Sequence, residues 1–215
     1  ACRVANRGGA ITILEPGTSL LARRCRFTVN SASESGGAVA IGHGGRGLIE
    51  ESRFLRNRAK VGAGLLVLGH GGPRKEELVL TRVELRSCHF EGNRARTEGG
   101  AIQLYRRSRL KVTGTRFEAN VSGCLGGAIA IFNDGEDKEG ESAAARFDSE
   151  DGMELYAAEL IDCGFHKNEA GPSPNAEPKD RFGFGGAICA IGPGRIDLTD
   201  CRLGGNRAGA YAGAI

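Results

Sequence analysis

Two short sequence signatures alternate along this chain at a fixed spacing, and this repetition constrains the fold more than any other feature. The first signature is Phe-x-x-Asn, and the second is Gly-Gly-Ala, usually followed by Ile or Val. Asn93 and Asn120 lie 27 residues apart. The glycines that open the second signature in the same two repeats, Gly99 and Gly126, are also 27 residues apart. A fixed internal period of this kind is typical of solenoid proteins, in which each repeat packs on its neighbours.

Both signatures recur along almost the whole chain. The first occurs as Phe27 with Asn30, Phe54 with Asn57, Phe90 with Asn93, Phe117 with Asn120 and Phe165 with Asn168, and Leu203 with Asn206 is a variant. Gly-Gly-Ala begins at Gly8, Gly36, Gly99, Gly126 and Gly185, and altered copies begin at Gly62 and Ala212. These copies predict a solenoid of about seven rungs, each of about 27 residues.

The apolar residues of each repeat alternate with polar residues and do not follow a helical period. Leu110 and Val112, for example, are separated by Lys111, and residues 196–198 show the same pattern. Period-two runs between glycine-rich corners indicate short strands. We therefore predict an all-β fold, a parallel β-helix with three strands and three corners per rung. Equivalent strands of successive rungs would stack at about 4.8 Å.

The repeated residues have a structural interpretation in such a fold. In the run Cys-Arg-Phe, the first and third side chains share one face of the strand. We therefore expect each Phe to lie inside the solenoid, stacked on the Phe of the next rung. The Asn at the following corner tolerates left-handed backbone geometry, and its amide can donate to and accept from identical amides in a ladder. The glycine pair allows a tight corner.

The alternation of the two signatures resembles the polymorphic outer-membrane protein repeats of chlamydiae, which are defined by Gly-Gly-Ala-(Ile/Leu/Val) and Phe-x-x-Asn. The resemblance covers nearly the whole chain. It implies a right-handed parallel β-helix of the pectate-lyase-like type. It also implies a surface location and a role as an adhesin.

The seven cysteines are predicted to be mostly free, buried thiols. Four of them occupy the position two residues before the Phe or its Leu variant, namely Cys25, Cys88, Cys163 and Cys201. Ser52 and Thr115 fill the same position in other rungs, which indicates an inward ladder of small side chains. Cys163 and Cys201 fall in adjacent rungs and could pair, although stacked strands do not hold side chains in ideal disulfide geometry. Because no Cys-x-x-Cys occurs, neither a metal nor another cofactor is expected.

The chain is predicted to form one β-helix domain over residues 1–215, with insertions at about 69–80, 133–154 and 169–184. Residues 134–154 contain nine acids and two bases, a net charge of −7, whereas the whole chain carries +3 and the remainder therefore +10. Clustered carboxylates suit Ca²⁺, but the ligand spacing of an EF-hand is missing, so a solvated or partner-ordered loop is preferred. Because both ends of the sequence fall within repeat motifs, we expect the chain to be part of a longer polypeptide.

Two sets of arginines are predicted to line the outside of the rod in register. Arg26, Arg53, Arg116 and Arg202 each precede the inward Phe or Leu, and Arg58, Arg94 and Arg207 each follow the corner Asn. Stacked rungs would align them into positive stripes that suit acidic protein surfaces, acidic glycans or lipid head groups. The alternative is a charge pattern that protects the sheet edges. Nucleic acid is not expected as a partner, because the aromatic residues are assigned to the core.

The second and third insertions supply further candidate contacts for a protein partner. Their apolar residues are Phe147, Met153, Phe182 and Phe184. Loops carried by a rigid scaffold are common sites of recognition. We therefore predict a protein interface in this region.

Catalysis is an alternative, because enzymes that act on polysaccharides also use β-helices. The histidines of two Gly-His-Gly runs, His43 and His70, resemble the motif of polygalacturonase-type hydrolases, and Arg195-Ile196-Asp197 distantly resembles their Arg-Ile-Lys. Those enzymes need clustered aspartates on neighbouring rungs for acid and base catalysis, and no Asp-Asp pair or Asn-Thr-Asp run occurs in the matching strands. The two histidines lie 27 residues apart, so we interpret them as repeat-related corner residues.

We therefore predict a non-catalytic β-helix scaffold or adhesin-like surface protein that contacts protein or glycan partners, or the rest of a longer chain. A structural subunit of a large protein assembly is the alternative, and a polysaccharide hydrolase or lyase is the third. The expected location is the cell surface or the secreted fraction. A membrane-associated assembly inside the cell or an organelle is the alternative location.

Overall fold

Four parallel β-sheets run side by side along the molecule. The computed structural model describes residues 3–4, 6–69, 80–105, 107–132, 157–171, 183–192, 195–210 and 213. Within these residues the chain forms one seven-stranded sheet and three six-stranded sheets. It visits sheets A, B, C and D in turn and then returns to sheet A one rung further along. The predicted right-handed parallel β-helix of about seven rungs is confirmed, but each rung holds four strands, so the prediction of three was wrong.

The strands have the following bounds. Sheet A contains β1 (Arg3–Val4), β5 (Ser31–Ala32), β9 (Arg58–Val61), β13 (Arg94–Glu98), β17 (Val121–Ser122), β21 (Glu169–Ala170) and β25 (Arg207–Ala208). Sheet B contains β2 (Ile11–Ile13), β6 (Val39–Gly42), β10 (Leu65–Leu68), β14 (Ile102–Tyr105), β18 (Ile129–Phe132) and β22 (Ile188–Ile191). Sheet C contains β3 (Ser19–Arg23), β7 (Arg46–Glu50), β11 (Thr81–Arg86), β15 (Ser108–Thr113), β19 (Ala157–Ile161) and β23 (Arg195–Thr199). Sheet D contains β4 (Arg26–Thr28), β8 (Arg53–Leu55), β12 (His89–Glu91), β16 (Arg116–Glu118), β20 (Gly164–His166) and β24 (Arg202–Gly204).

The main core lies between sheets B, C and D and is built from alternate residues of their strands. In one rung, Ile102 and Leu104 of sheet B, Leu110 and Val112 of sheet C, and Phe117 of sheet D are all fully buried. Ala95 of sheet A is also buried, but it belongs to a separate small cluster with Ala59 and Ala63. Burial of branched aliphatic and aromatic side chains supplies most of the driving force for such a fold.

The sharp corners are formed by residues with left-handed backbone geometry. At the corner between sheets D and A these residues are Val29, Arg56, Gly92, Ala119, Lys167 and Gly205, each immediately before the repeated Asn. The Asn tolerates this geometry but is not the residue that adopts it. The preceding residue makes the turn, which leaves the Asn free to point its amide inward. A non-glycine residue at positive φ is unfavourable, so the hydrogen bonds of the Asn stabilise a strained corner.

The predicted insertions occur at only two of the four corners. The insertion at 69–80 connects β10 to β11, and that at 133–154 connects β18 to β19, so both join sheet B to sheet C. The third was predicted at 169–184, but Glu169–Ala170 form β21, so the insertion begins after this strand and leads to β22. Most of their residues lie outside the described part of the chain, as do Phe147, Met153, Phe182, His70, Cys2 and the acidic segment considered for Ca²⁺. The described residues contain no helix that could cross a membrane.

Candidate interaction surface

A continuous stack of phenylalanine rings fills the interior beside sheet D. The centroids of Phe54 and Phe90 are 4.4 Å apart with the rings 5° from parallel, and Phe117 and Phe165 are 4.7 Å apart with an angle of 6°. Phe27 continues the stack below Phe54. At the far end, Leu203 occupies the next position in register with Phe165. These rings belong to the buried core, so we assign them a structural role.

The repeated asparagines form a second internal ladder. Asn93 Nδ2 donates to Asn120 Oδ1 at 2.9 Å and to the backbone oxygen of Phe54 at 2.8 Å. The Oδ1 atom of Asn93 accepts from both the backbone N–H and Nδ2 of Asn57. The same pattern extends from Asn30 through Asn57, Asn93, Asn120 and Asn168 to Asn206. The amides thus satisfy backbone groups that the corners leave unpaired.

The cysteine position forms a third ladder, with hydroxyl side chains in some rungs. Cys88 Sγ donates to the backbone oxygens of Ile49 and Arg86, and the backbone N–H of Cys88 donates to Thr115 Oγ1 at 3.2 Å. No disulfide joins the six described cysteines, of which three are buried and three half-buried. Burial raises the pKa of Cys163 to about 11, and the neighbouring thiol of Cys201 adds to this effect. A raised pKa leaves the thiol protonated and poorly nucleophilic at neutral pH.

The predicted arginine stripe on sheet D is exposed but interrupted. Arg26 and Arg53 are direct neighbours on β4 and β8. His89 then separates Arg53 from Arg116, and Gly164 separates Arg116 from Arg202. The His89 imidazole lies 3.7 Å from the carboxylate of Glu118. The four arginines therefore share one row without forming a continuous positive stripe.

The predicted stripe on sheet A is shorter still. Arg58 and Arg94 are neighbours on β9 and β13. Val121 and Glu169 occupy the next two rungs, before Arg207 on β25. The carboxylate of Glu169 would repel an anionic partner that followed the whole row. Only the pair at Arg58 and Arg94 provides adjacent positive charges.

Sheet C carries an arginine column that the sequence analysis missed. Arg46, Arg82 and Arg109 are direct neighbours on the consecutive strands β7, β11 and β15, and all three side chains are exposed. Ser19 precedes this column and Ala157 follows it. Arg82 and Arg109 are 27 residues apart, so the repeat period itself is the signal that could have revealed them.

The carboxylates on sheet C are engaged by other cations. Glu50 contacts Arg23 and Arg86, and Glu84 also contacts Arg86. Lys111 pairs with Glu159 at 2.9 Å on the neighbouring strand. Across the described residues, no ion pair or side-chain hydrogen bond involves the guanidinium groups of the Arg46, Arg82 and Arg109 column. Within the part of the chain that the structure describes, no carboxylate is paired with its positive charge.

A small apolar cluster lies beside sheet B and contains the one described member of the predicted insertion contacts. Phe184 is half-buried and packs against a small cluster that includes Leu125, Ala130 and Cys189. The Phe132 ring of this cluster meets Tyr105 edge-on, with centroids 6.1 Å apart. Phe184 therefore packs partly against its own chain, and its contact with a partner stays a prediction.

The residues considered for catalysis have local roles in the described structure. His43 lies at the corner after β6 with left-handed backbone geometry, at a φ of 52°. Arg195 Nε donates to Asp197 Oδ1 at 2.8 Å on the same strand. His43 follows sheet B, whereas this pair belongs to sheet C at the opposite end of the described rungs. The two groups are therefore not brought together.

The fold and its surface define a class of protein, a parallel β-helix rod with structural ladders inside and basic rows outside. Residues 87–105 match the family model of the Chlamydia polymorphic membrane protein repeat. This range contains β12, β13 and β14, with one copy of each signature. The chain therefore contains a repeat of the type that its signatures predicted. Searches of curated proteins and of solved structures found no significant match.

Proposed function

We propose that this chain is a non-catalytic, adhesin-like rod that presents its outer faces to protein or glycan partners at a cell surface. The observation that supports this most directly is that the structural ladders lie inside the rod and the basic residues lie outside it. Three ladders of Phe, Asn and Cys or hydroxyl residues are used to hold the rungs together. The same register repeats basic residues on the exposed faces, where a partner can reach them.

The family match supports the surface location in this proposal. The name of the matched repeat refers to a membrane protein of Chlamydia. A rigid rod suits adhesion because in-register rungs hold many weak contacts in one geometry. Several such contacts engaged together give an avidity well above the affinity of any one of them.

The proposal is tested by adhesion of coated beads to cultured epithelial cells. Beads that carry the folded chain should bind saturably, and the soluble chain should compete. Beads that carry the same chain after thermal unfolding provide the matched control. Binding no greater than this control would reject the adhesive function. Cross-links to a fixed set of protein neighbours in native material, without cell binding, would favour a structural subunit of an assembly.

A further inference from the structure

We propose that the column formed by Arg46, Arg82 and Arg109 binds a sulfated glycan chain that runs along the axis of the rod. This inference rests on the proposed adhesive function and deepens it by naming a site and a ligand class. The three arginines occupy equivalent positions on neighbouring strands, so their Cα atoms are spaced at about 4.8 Å along the axis. The column is therefore straight and parallel to the rod.

The electrostatics of the column favour an anionic ligand. Like charges directly opposite each other on neighbouring strands are destabilising. The described carboxylates of sheet C do not relieve this repulsion, because Glu50 and Glu84 contact Arg23 and Arg86, and Glu159 pairs with Lys111. An anion that bridges successive guanidinium groups would remove the repulsion and add charge-assisted hydrogen bonds.

The residue type suits the oxyanion groups of a sulfated chain. Arginine offers a planar fork of donors that matches the oxygen atoms of tetrahedral oxyanions, and its guanidinium is more weakly hydrated than an ammonium group. All three members of the column are arginine, while Lys111, two residues after Arg109 on the same strand, is already paired. A chain with repeated sulfate groups can engage several members at once.

The width of the column favours a linear ligand over a membrane or a nucleic acid. The next outward residues on each strand lie about 6.6 Å away and include Glu84, and Glu50 lies one step further. A flat anionic membrane would meet these carboxylates, whereas a single glycan chain can follow the column alone. Among the described outward residues of sheet C none is aromatic, so the face offers no platform for stacked bases.

The inference is tested by binding of the chain to immobilised heparin over a range of salt concentrations. The test variant replaces Arg46, Arg82 and Arg109 with glutamine. The matched control replaces Arg53, Arg116 and Arg202 of sheet D with glutamine, which removes the same charge from an interrupted row. We expect the sheet C variant to lose roughly tenfold or more in affinity for heparin. The slope of its log affinity against log salt concentration should be smaller by about two to three. The sheet D variant should keep most of the parent's affinity and most of its salt dependence. Thermal unfolding shows whether both variants fold as the parent does.

Several results would overturn the inference. Equal losses in the two variants would show attraction by net charge alone. Equal binding of fully desulfated heparin, or tighter binding to phosphatidylserine vesicles or single-stranded DNA, would assign the column to another ligand. No heparin binding with intact cell adhesion would reject this inference and leave the proposed function standing. Column-dependent heparin binding without cell adhesion would support the site and reject the adhesive function.

Discussion

Asn57 donates from its side-chain amide to Oδ1 of Asn93 at 2.9 Å, and this bond joins two rungs at a fully buried corner. The backbone N–H of Asn57 donates to the same oxygen at 3.0 Å. A single carbonyl oxygen thus satisfies two donors of the preceding rung. The register of the rod is therefore fixed at its corners as well as along its strands.

Replacing Asn93 with alanine should lower the free energy of unfolding by about 3 kcal/mol or more. The change leaves two donors of Asn57 and the backbone oxygen of Phe54 buried without this partner, and each such group costs about 1–3 kcal/mol. Urea denaturation would measure the loss. Asn206→Ala is the matched control, because Asn206 is half-buried and water can replace its bonds to Asn168. An equal loss in both variants would contradict a buried ladder.

Replacing Phe117 with alanine should destabilise the rod by about 3–5 kcal/mol, as expected for truncation of a large core side chain. Its ring stacks between Phe90 at 5.1 Å and Phe165 at 4.7 Å, so the cavity would open in the middle of the stack. Phe117→Leu should cost clearly less, because Leu203 already occupies an equivalent position in register. Thermal melting of both variants compares them, and an unchanged melting temperature for Phe117→Ala would refute the inward stack.

Two glycines with the same backbone geometry should respond differently to alanine. Gly99 and Gly114 both have a φ of 59°. A Cβ atom at Gly99 would collide with the backbone oxygen of Ile102, whereas at Gly114 the nearest atom would be Ser87 Oγ at 3.6 Å. We expect Gly114→Ala to cost about 1 kcal/mol from backbone strain alone and Gly99→Ala to cost several-fold more. Denaturant unfolding measures both, and similar costs would show that the corner at Gly99 has room to spare.

The stability of the rod should fall between about pH 9 and about pH 11. Burial raises the pKa of Cys163 from 9.0 to about 11, so the folded chain holds this proton more tightly than the unfolded chain does. Its contribution is complete below pH 9 and is lost as the pH rises through the folded-state value. Thr115 fills the equivalent position in the neighbouring rung, so Cys163→Thr is a conservative variant. It should make the fall in unfolding free energy over this pH range smaller by about 1.4 kcal/mol per pH unit. The same decline in variant and parent would show that this thiol does not titrate as a buried group.

The ladders could be predicted from the sequence because their residues recur with the backbone period. Phe117 and Asn120 repeat in almost every rung, and a residue that recurs at one register position must meet its own copies. The fourth strand of each rung could not be predicted in this way. The strand Val121–Ser122 has only two residues, so it shows no alternation. Its existence depends on hydrogen bonds to neighbouring rungs that the sequence does not display.

The outer rows were harder to predict than the core. The column on sheet C was missed because an insertion places Arg46 and Arg82 36 residues apart and hides their equivalence. The gaps in the sheet D row are visible in the sequence, since His89 and Gly164 precede Phe90 and Phe165. The strand register of the structure shows that these two residues lie between the arginines and interrupt the stripe. Outward positions vary freely between repeats, because no neighbour restricts them.

The central claim is that successive rungs stack in register, so that repeat-related residues form straight columns. The most direct test measures distances between spin labels by double electron–electron resonance, in a background where the native cysteines are serine. Label pairs at Ser19 and Arg109, and at Ser19 and Arg195, span three and five strand steps of the sheet C row that contains the arginine column. These steps correspond to about 14 Å and about 24 Å between Cα atoms. The account predicts mean distances that differ by about 10 Å with narrow distributions; equal means or broad distributions would contradict the stacked rod.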